Sequence, residues 1–192
     1  MSPVYAALVH FPVRSREGND MSSAITNLDV HDIARSSTTY GLRGFFVVTP
    51  IAAQQVLVSR ILEHWDTGPG RARTPERSTA LAICRGALSI EAAIEAIVAE
   101  HGQRPRVLAT AARSTATTTR VSFEAERRAL ESDEVPRLIL FGTAHGLADR
   151  VIEAADALLP PIVGAGAYNH LSVRAAAAIT FDRLLAPQRP ET

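Results

Sequence analysis

The sequence predicts an α/β fold, a single domain with a parallel sheet flanked by helices. Three observations predict it. Short, almost wholly apolar runs (YAALVHF at 5–11, FFVVT at 45–49, RVLATA at 106–111, RLILF at 137–141) read as buried strands. Segments with apolar residues at helical spacing lie between them, and strands alternating with helices argue a parallel sheet. The last strands run straight into glycine- and proline-rich loops, and α/β folds place ligands at the carboxyl ends of strands.

Taken in order, Val4–Phe11 is the first strand and Pro12 ends it. Arg14–Asp20 is polar, contains a glycine and reads as a surface loop. A loop to about Asn27 leads to a helix from Asp29 to about Thr39, with Asn27 and Asp29 as N-cap candidates and Gly41 as the stop. Phe45–Thr49 is the second strand. Pro50 then opens a helix over Ile51–Trp65, where Val56, Ile61, Leu62 and Trp65 fall near helical spacing. Asp66–Ser78, the longest breaker-rich segment, reads as a loop carrying Arg71, Arg73 and Arg77, and Leu81–Leu88 as a third strand.

Ser89 caps an amphipathic helix to about His101, with Ile90, Ala93, Ile94, Ile97 and Val98 on one face. Arg106–Ala111 is a strand, followed by a Ser/Thr-rich loop over Ser114–Thr119. Phe123–Glu131 reads as a helix, Arg137–Phe141 as a strand and Leu147–Ala155 as a helix; an alanine-rich helix follows Ser172. With no internal repeat, residues 1–186 form one domain and Pro187–Thr192 a tail.

At 192 residues the chain is long enough for a proper core. Its 46% hydrophobic and 21% charged residues are those of a soluble globule. All 20 basic residues are arginine and balance 20 acidic ones, so any nucleic-acid surface must concentrate arginines locally. No run approaches the ~18 apolar residues of a membrane span, and no basic-then-apolar leader precedes the first strand. The lone Cys84 excludes an internal disulfide, fits a reducing cytoplasm and reads as a buried strand residue. Six scattered histidines make no metal-ligand pattern. There is no G-x-G-x-x-G, no lysine for a phosphate loop and no G-x-S-x-G elbow, which argues against dinucleotide, P-loop and Ser-hydrolase chemistry.

Three segments stand in fixed order. NLDVHDIARSSTTYG has Asn27, then Arg35 six residues before Gly41. LFGTAHGL at Leu140–Leu147 is an apolar strand, then G-x-x-x-G-L. LPPIVGAGAYNHLSVRAAAAI at Leu159–Ile179 is a proline turn, a polar cluster and a small-residue helix. Together they resemble the three motifs of the SPOUT superfamily, the trefoil-knotted S-adenosylmethionine-dependent RNA methyltransferases. The chain is similar to a short branch of it, with Asn169 three residues before Ser172 where many members have two.

The resemblance implies a C-terminal trefoil knot, which the usual rule against threaded chains would not suggest. It implies S-adenosylmethionine held by backbone groups of Leu140, Gly142, Ile162 and Leu171, with Gly146 and Pro160 in the same loops. Thr110 and Ala111 would wall the pocket, and Asn169 and Ser172 would contact the methionine end or the RNA; alternatively Asn169 only caps the last helix. It further implies a homodimer whose site is built across the interface, with Arg35 of one subunit facing the cofactor loops of the other.

Chemistry supports Arg35, because a guanidinium grips phosphate bidentately and stays charged. Asp29, His31 and Asp32 are candidate proton acceptors. Asp29 and Asp32 share a helix face and His31 is rotated away, so the two aspartates rank first. Arg174 either pairs with a carboxylate or serves the site. His145 and His170 flank the pocket, and His10 reads as structural. Arg71, Arg73 and Arg77, with Arg14 and Arg16, form either a solvated surface or a phosphate-tracking groove.

The function expected is methyl transfer to a tRNA or rRNA nucleotide in the cytoplasm, with no metal and no membrane. The alternatives are a non-catalytic knotted RNA-binding protein and an unknotted α/β small-molecule or nucleotide-sensing protein.

Overall fold

The computed structural model describes residues 1–112, 119–166 and 168–187. The chain begins with β1 (Val4–Val9), six residues that are all buried. A two-stranded antiparallel ribbon follows, β2 (Val13–Arg14) and β3 (Asp20–Met21), so the expected surface loop is closed at its base by backbone bonds. Helix α1 (Asn27–Thr39) starts two residues before the expected Asp29. Its cap is Thr26, whose side chain accepts from the Asp29 N–H, and neither Asn27 nor Asp29 is the cap.

Next come β4 (Gly44–Val48) and α2 (Ala52–Asp66). The breaker-rich segment holds two short helices, α3 (Pro69–Arg73) and α4 (Pro75–Leu81). Each has a proline in its first turn, where the missing N–H costs nothing. They take Leu81 out of the expected third strand, which is β5 (Cys84–Ala87). Helix α5 (Ile90–His101) is capped by the Ser89 side chain, as the sequence predicts, and ends at Gly102 with φ of 69°.

Then follow β6 (Arg106–Ala109), α6 (Phe123–Ser132), β7 (Arg137–Gly142), α7 (Asp149–Ala154), β8 (Ala157–Leu158) and α8 (Val173–Leu185). Residues 114–118 of the predicted Ser/Thr-rich loop and 188–192 of the predicted tail lie outside the described residues.

Six strands form one parallel sheet in the order β5-β4-β1-β7-β6-β8. Alternate residues feed two cores, as the two-residue strand period requires. Val4, Ala6, Leu8, Phe45, Val47, Ile139 and Phe141 face one side, with α1, α8 and parts of α2, α4 and α6. Tyr5, Ala7, Val9, Phe46, Val48, Leu138 and Leu140 face the other, with α5 and α7. The chain runs outward from β1 through β4 to β5, then resumes beyond β7. The strand order therefore reverses beside β1, where open α/β sheets leave a crevice.

Two polar clamps hold the two ends of the sheet. At the amino ends of the strands, Arg137 is 1% exposed. Its Nε donates to Glu126 at 2.7 Å, and its Nη1 and Nη2 grip Asp133 at 2.7 Å each. That grip, with a hydrogen bond from Ser2, holds the Asp133 carboxyl well below the usual carboxylate range. At the carboxyl ends, the Gln55 amide donates to the carbonyls of Thr49 and Ala87 at 2.7 Å each, joining the ends of β4 and β5.

Candidate functional site

The carboxyl ends of β6, β7 and β8 open into a cleft of about 820 Å³, within the ~300–1,000 Å³ usual for small-molecule sites. Each wall is backbone brought to the surface by a local rule. After β7 the chain doubles back through Gly142–Leu147, with the Gly146 N–H on the Thr143 carbonyl at 2.9 Å. Gly146 sits at φ of 97°, a left-handed geometry that glycine adopts without cost. Gly142 is needed for another reason: a Cβ there would meet Leu147 N at 2.2 Å. After β8, Pro160 and Pro161 stiffen a wall that carries no N–H of its own. The loop from Ile162 returns through Asn169, whose Oδ1 accepts from the Gly164 N–H at 3.3 Å. Ser172 caps α8 by accepting from Ala175 N at 3.2 Å, so the cap is Ser172 and not Asn169.

Eight of the nine residues expected at the cofactor lie on this cleft: Thr110, Gly142, Gly146, Pro160, Ile162, Asn169, Leu171 and Ser172. Ala111, His145 and His170 lie there too. Leu140 does not. It is one turn of pleat deeper at 1% exposure, and its carbonyl is taken by Thr110 N at 3.2 Å and Thr110 Oγ1 at 2.8 Å. Among the described residues nothing accepts from the backbone N–H groups of Ile162 and Leu171, two donors left free for a ligand. Apolar walls, free backbone donors and this volume suit an adenosyl-amino-acid cofactor.

The catalytic candidates are spread more widely. Asp29 lines the cleft and is 8% exposed. Both its oxygens are engaged: Oδ2 accepts from Thr26 Oγ1 at 2.6 Å and Oδ1 from Arg174. Arg174 also reaches Asp32, Nε to Oδ2 at 3.5 Å, so the shared face of residues 29 and 32 is real and Arg174 bridges it. His31 points elsewhere, edge-on to Trp65 with ring centroids 5.4 Å apart. Burial, then the Arg77 charge, pulls its imidazole below the ordinary value. Arg35 is exposed and, like Asp32, is off the cleft of its own chain.

Three arginines considered for a phosphate groove are already engaged, Arg71 through a hydrogen bond from its Nη1 to the Asp66 carbonyl at 3.1 Å. Arg14 forms an ion pair with Asp149, beside the β7 turn. Arg77 lies 5.1 Å over the Trp65 ring. Sequence reasoning did not single out Ser23 or Thr143, both on the cleft, nor their bond to buried His10. No motif marks Ser23, which sits in a plain polar linker. Among the described residues no group of three or more His, Cys, Asp or Glu is placed to hold a metal ion, and no helix is long and apolar enough to cross a membrane.

Comparison with known proteins shows the family and the fold. Residues 3–186 match the sequence model of a family described as SAM-dependent RNA methyltransferase. A relative from Oleidesulfovibrio alaskensis, named tRNA (guanine-N(1)-)-methyltransferase, is 50% identical over 182 residues. That match spans 95% of this chain and 42% of the relative, so the chain covers less than half of that protein's length. A protein from Aquifex aeolicus is 36% identical over 186 residues, 97% of this chain and 90% of its own. Among solved structures, the crystal structure of TrmJ from Z. mobilis ZM4 shares the fold with a TM-score of 0.62 at 16% identity, over 98% of this chain and 70% of that one. Matched from Pro3 to Ala186, this chain belongs to the family of SAM-dependent RNA methyltransferases.

Proposed function

We propose that the cleft binds S-adenosylmethionine and that the protein methylates a nucleotide of structured RNA, a tRNA or rRNA. The convergence of eight expected cofactor residues on one cleft carries this reading. When bound, the cofactor supplies a methyl group on a sulfonium, which the RNA atom gains as the sulfur leaves as a thioether and the acceptor loses a proton. The chain's own part is to bind, orient and take that proton. The free N–H groups of Ile162 and Leu171 fix the ligand's polar edge, and Pro160–Pro161 and the Gly142 turn pack its faces. Asp29, with both oxygens occupied, anchors Arg174 under the cleft. Asp32, with a side chain 40% exposed and only the 3.5 Å contact to Arg174, is the better proton acceptor of the two.

Because Arg35 and Asp32 lie off their own cleft, the reading includes a homodimer in which they serve the partner's cleft. Leu28 at 54% exposure, Val163 at 71%, Tyr168 at 80% and Leu171 at 48% supply apolar surface for it. It also includes a C-terminal trefoil knot and residence in the cytoplasm. The knot is carried over from the family resemblance; α8, the helix it would involve, packs against α1 and α6. Of the arginines considered for a phosphate groove, Arg16 and Arg73, both exposed, are the ones available to RNA phosphates.

The test is calorimetric titration with S-adenosylmethionine beside Gly142→Arg and Pro161→Ala variants, then methyl transfer to total tRNA and rRNA. Micromolar binding lost in Gly142→Arg, with label entering RNA, is expected. No binding by the folded native protein sinks the reading. A second reading, a knotted RNA-binding protein without turnover, draws on Asp29, whose oxygens are both spoken for. RNA bound without methyl transfer would establish it.

A further inference from the structure

His10 follows β1 directly, between the ends of β4 and β7, and is fully buried. Its Nδ1 lies 2.9 Å from Ser23 Oγ. Ser23 Oγ in turn bonds Thr143 Oγ1, which lies 3.1 Å from the Val9 carbonyl oxygen. Ser23 and Thr143 line the cleft. The Ser23 backbone is fixed on both sides. Its N–H donates to the His10 carbonyl at 2.9 Å, and its carbonyl accepts from Gln54 Nε2 at 3.2 Å.

The two ends set the direction of the protons in this chain, the Val9 carbonyl as acceptor and His10 as donor. A carbonyl only accepts, so Thr143 spends its hydroxyl proton on Val9. Thr143 Oγ1 must then accept from Ser23, and Ser23 Oγ from His10 Nδ1–H. Burial, against the attraction of Asp29, pulls His10 down to about 4, so the ring is neutral at pH 7 and has one N–H to give. Its buried Nε2 has no partner. A bare lone pair there is better tolerated than a stranded N–H, which again places the proton on Nδ1. Each hydroxyl oxygen keeps one unused lone pair, and neither has a proton left for the cleft.

We propose that Ser23 Oγ and Thr143 Oγ1 form an acceptor-only cation subsite, held in that state by His10, that recognises the sulfonium of the bound cofactor. This rests on the S-adenosylmethionine reading above. An ammonium brings three protons and wants three acceptors. A sulfonium carries its charge without protons and is matched by two oxygen lone pairs. The subsite lets go of the neutral thioether once the methyl has left, which favours product release. His10 is thus a positioning residue acting through Ser23.

The experiment compares affinities for S-adenosylmethionine and S-adenosylhomocysteine, which differ by that charge, in the native protein and in Ser23→Ala, His10→Asn and His10→Leu. The native protein is expected to prefer the sulfonium about tenfold, the scale of a hydrogen-bonding group facing a charge. Ser23→Ala brings the two ligands close to parity. His10→Asn, whose amide N–H replaces Nδ1–H, keeps the preference, and His10→Leu loses it. An unchanged preference in Ser23→Ala, or equal preferences in the two His10 variants, overturns the proposal. If His10→Leu does not fold, Ser23→Ala alone decides. Failure of the native protein to bind either ligand overturns the cofactor reading itself and is distinguishable from both.

Discussion

Gly142→Ala tests the cleft at its tightest point. The added Cβ would stand 2.2 Å from Leu147 N, 2.5 Å from Gly146 C and 3.0 Å from Gly146 Cα. Ordinary contact begins near 3.4 Å, so the first pair must open by about 1.2 Å (3.4 − 2.2). All three neighbours are backbone, and that backbone is pinned. The Gly146 carbonyl accepts from Arg14 N at 2.9 Å, its N–H reaches Thr143 at 2.9 Å, and Ala148 N–H reaches Pro12 at 3.3 Å. Overpacking costs ~1–3 kcal/mol, and stretching one or two of these bonds adds about 1 kcal/mol each. The sum, about 2–5 kcal/mol, lowers Tm by on the order of 10 °C for a domain of this size. Cofactor affinity, read by calorimetry on the folded variant, falls at least about tenfold, the effect of 1.4 kcal/mol. Gly166→Ala is the control, since nothing lies within 4 Å of its Cβ position. If Gly142→Ala melts within about 2 °C of the native protein and binds as well, the close-packed turn is not what shapes the cleft.

Further expectations follow from His10, Asp133, Arg137 and Cys84. His10 falls from 6.5 to about 4, so the fold favours its neutral form. Its contribution is present above pH 6.5 and drains away as pH falls toward 4. It amounts to about 3 kcal/mol, and urea unfolding at pH 7 and pH 4 measures it; equal stabilities would refute the assignment. The Asp133 carboxyl gives a separate, lower window, present above its ordinary value of 3.8 and lost only below it. Arg137→Met strands Glu126, which is 2% exposed but keeps Arg106 at 3.4 Å. The cost should be about 3 kcal/mol, the low end for breaking a buried pair, by the same unfolding assay. A cost below about 1 kcal/mol would mean that water reaches the carboxylate. Cys84 is 4% exposed and burial pushes its thiol up to about 12. A disulfide reagent at pH 8 should label it only after unfolding, and rapid native labelling would contradict its burial.

The sheet was legible because its signal is local. Every strand of four or more residues is an apolar run or begins within one, and α5 shows its cap, its apolar face and its terminal Gly102 in consecutive residues. Helices α3 and α4 were hidden because Pro69 and Pro75 read as breakers, whereas at a first turn proline starts a helix. The cleft residues Gly142, Pro160 and Asn169 were visible through the motif resemblance, in loops that follow apolar strand ends. What lay out of reach depends on long separations. Arg174 meets Asp29 across 145 residues and Ser23 meets Thr143 across 120. No periodicity encodes a partner that far away, and Ser23 has no neighbour in sequence that marks it.

The clamp made by Gln55 has a consequence for where any ligand can sit. Its amide closes the ends of β4 and β5, and its Oε1 fills the space over Gly86, where a Cβ would come within 2.4 Å. The crevice at the reversal of strand order is symmetric in principle, open toward either half of the sheet. Gln55 stands on the β4–β5 side of β1, and the cleft is lined chiefly by the segments that follow β6, β7 and β8. On the proposed reading the ligand therefore sits over the β7, β6 and β8 half of the sheet, and the β4–β5 end serves to hold the sheet together.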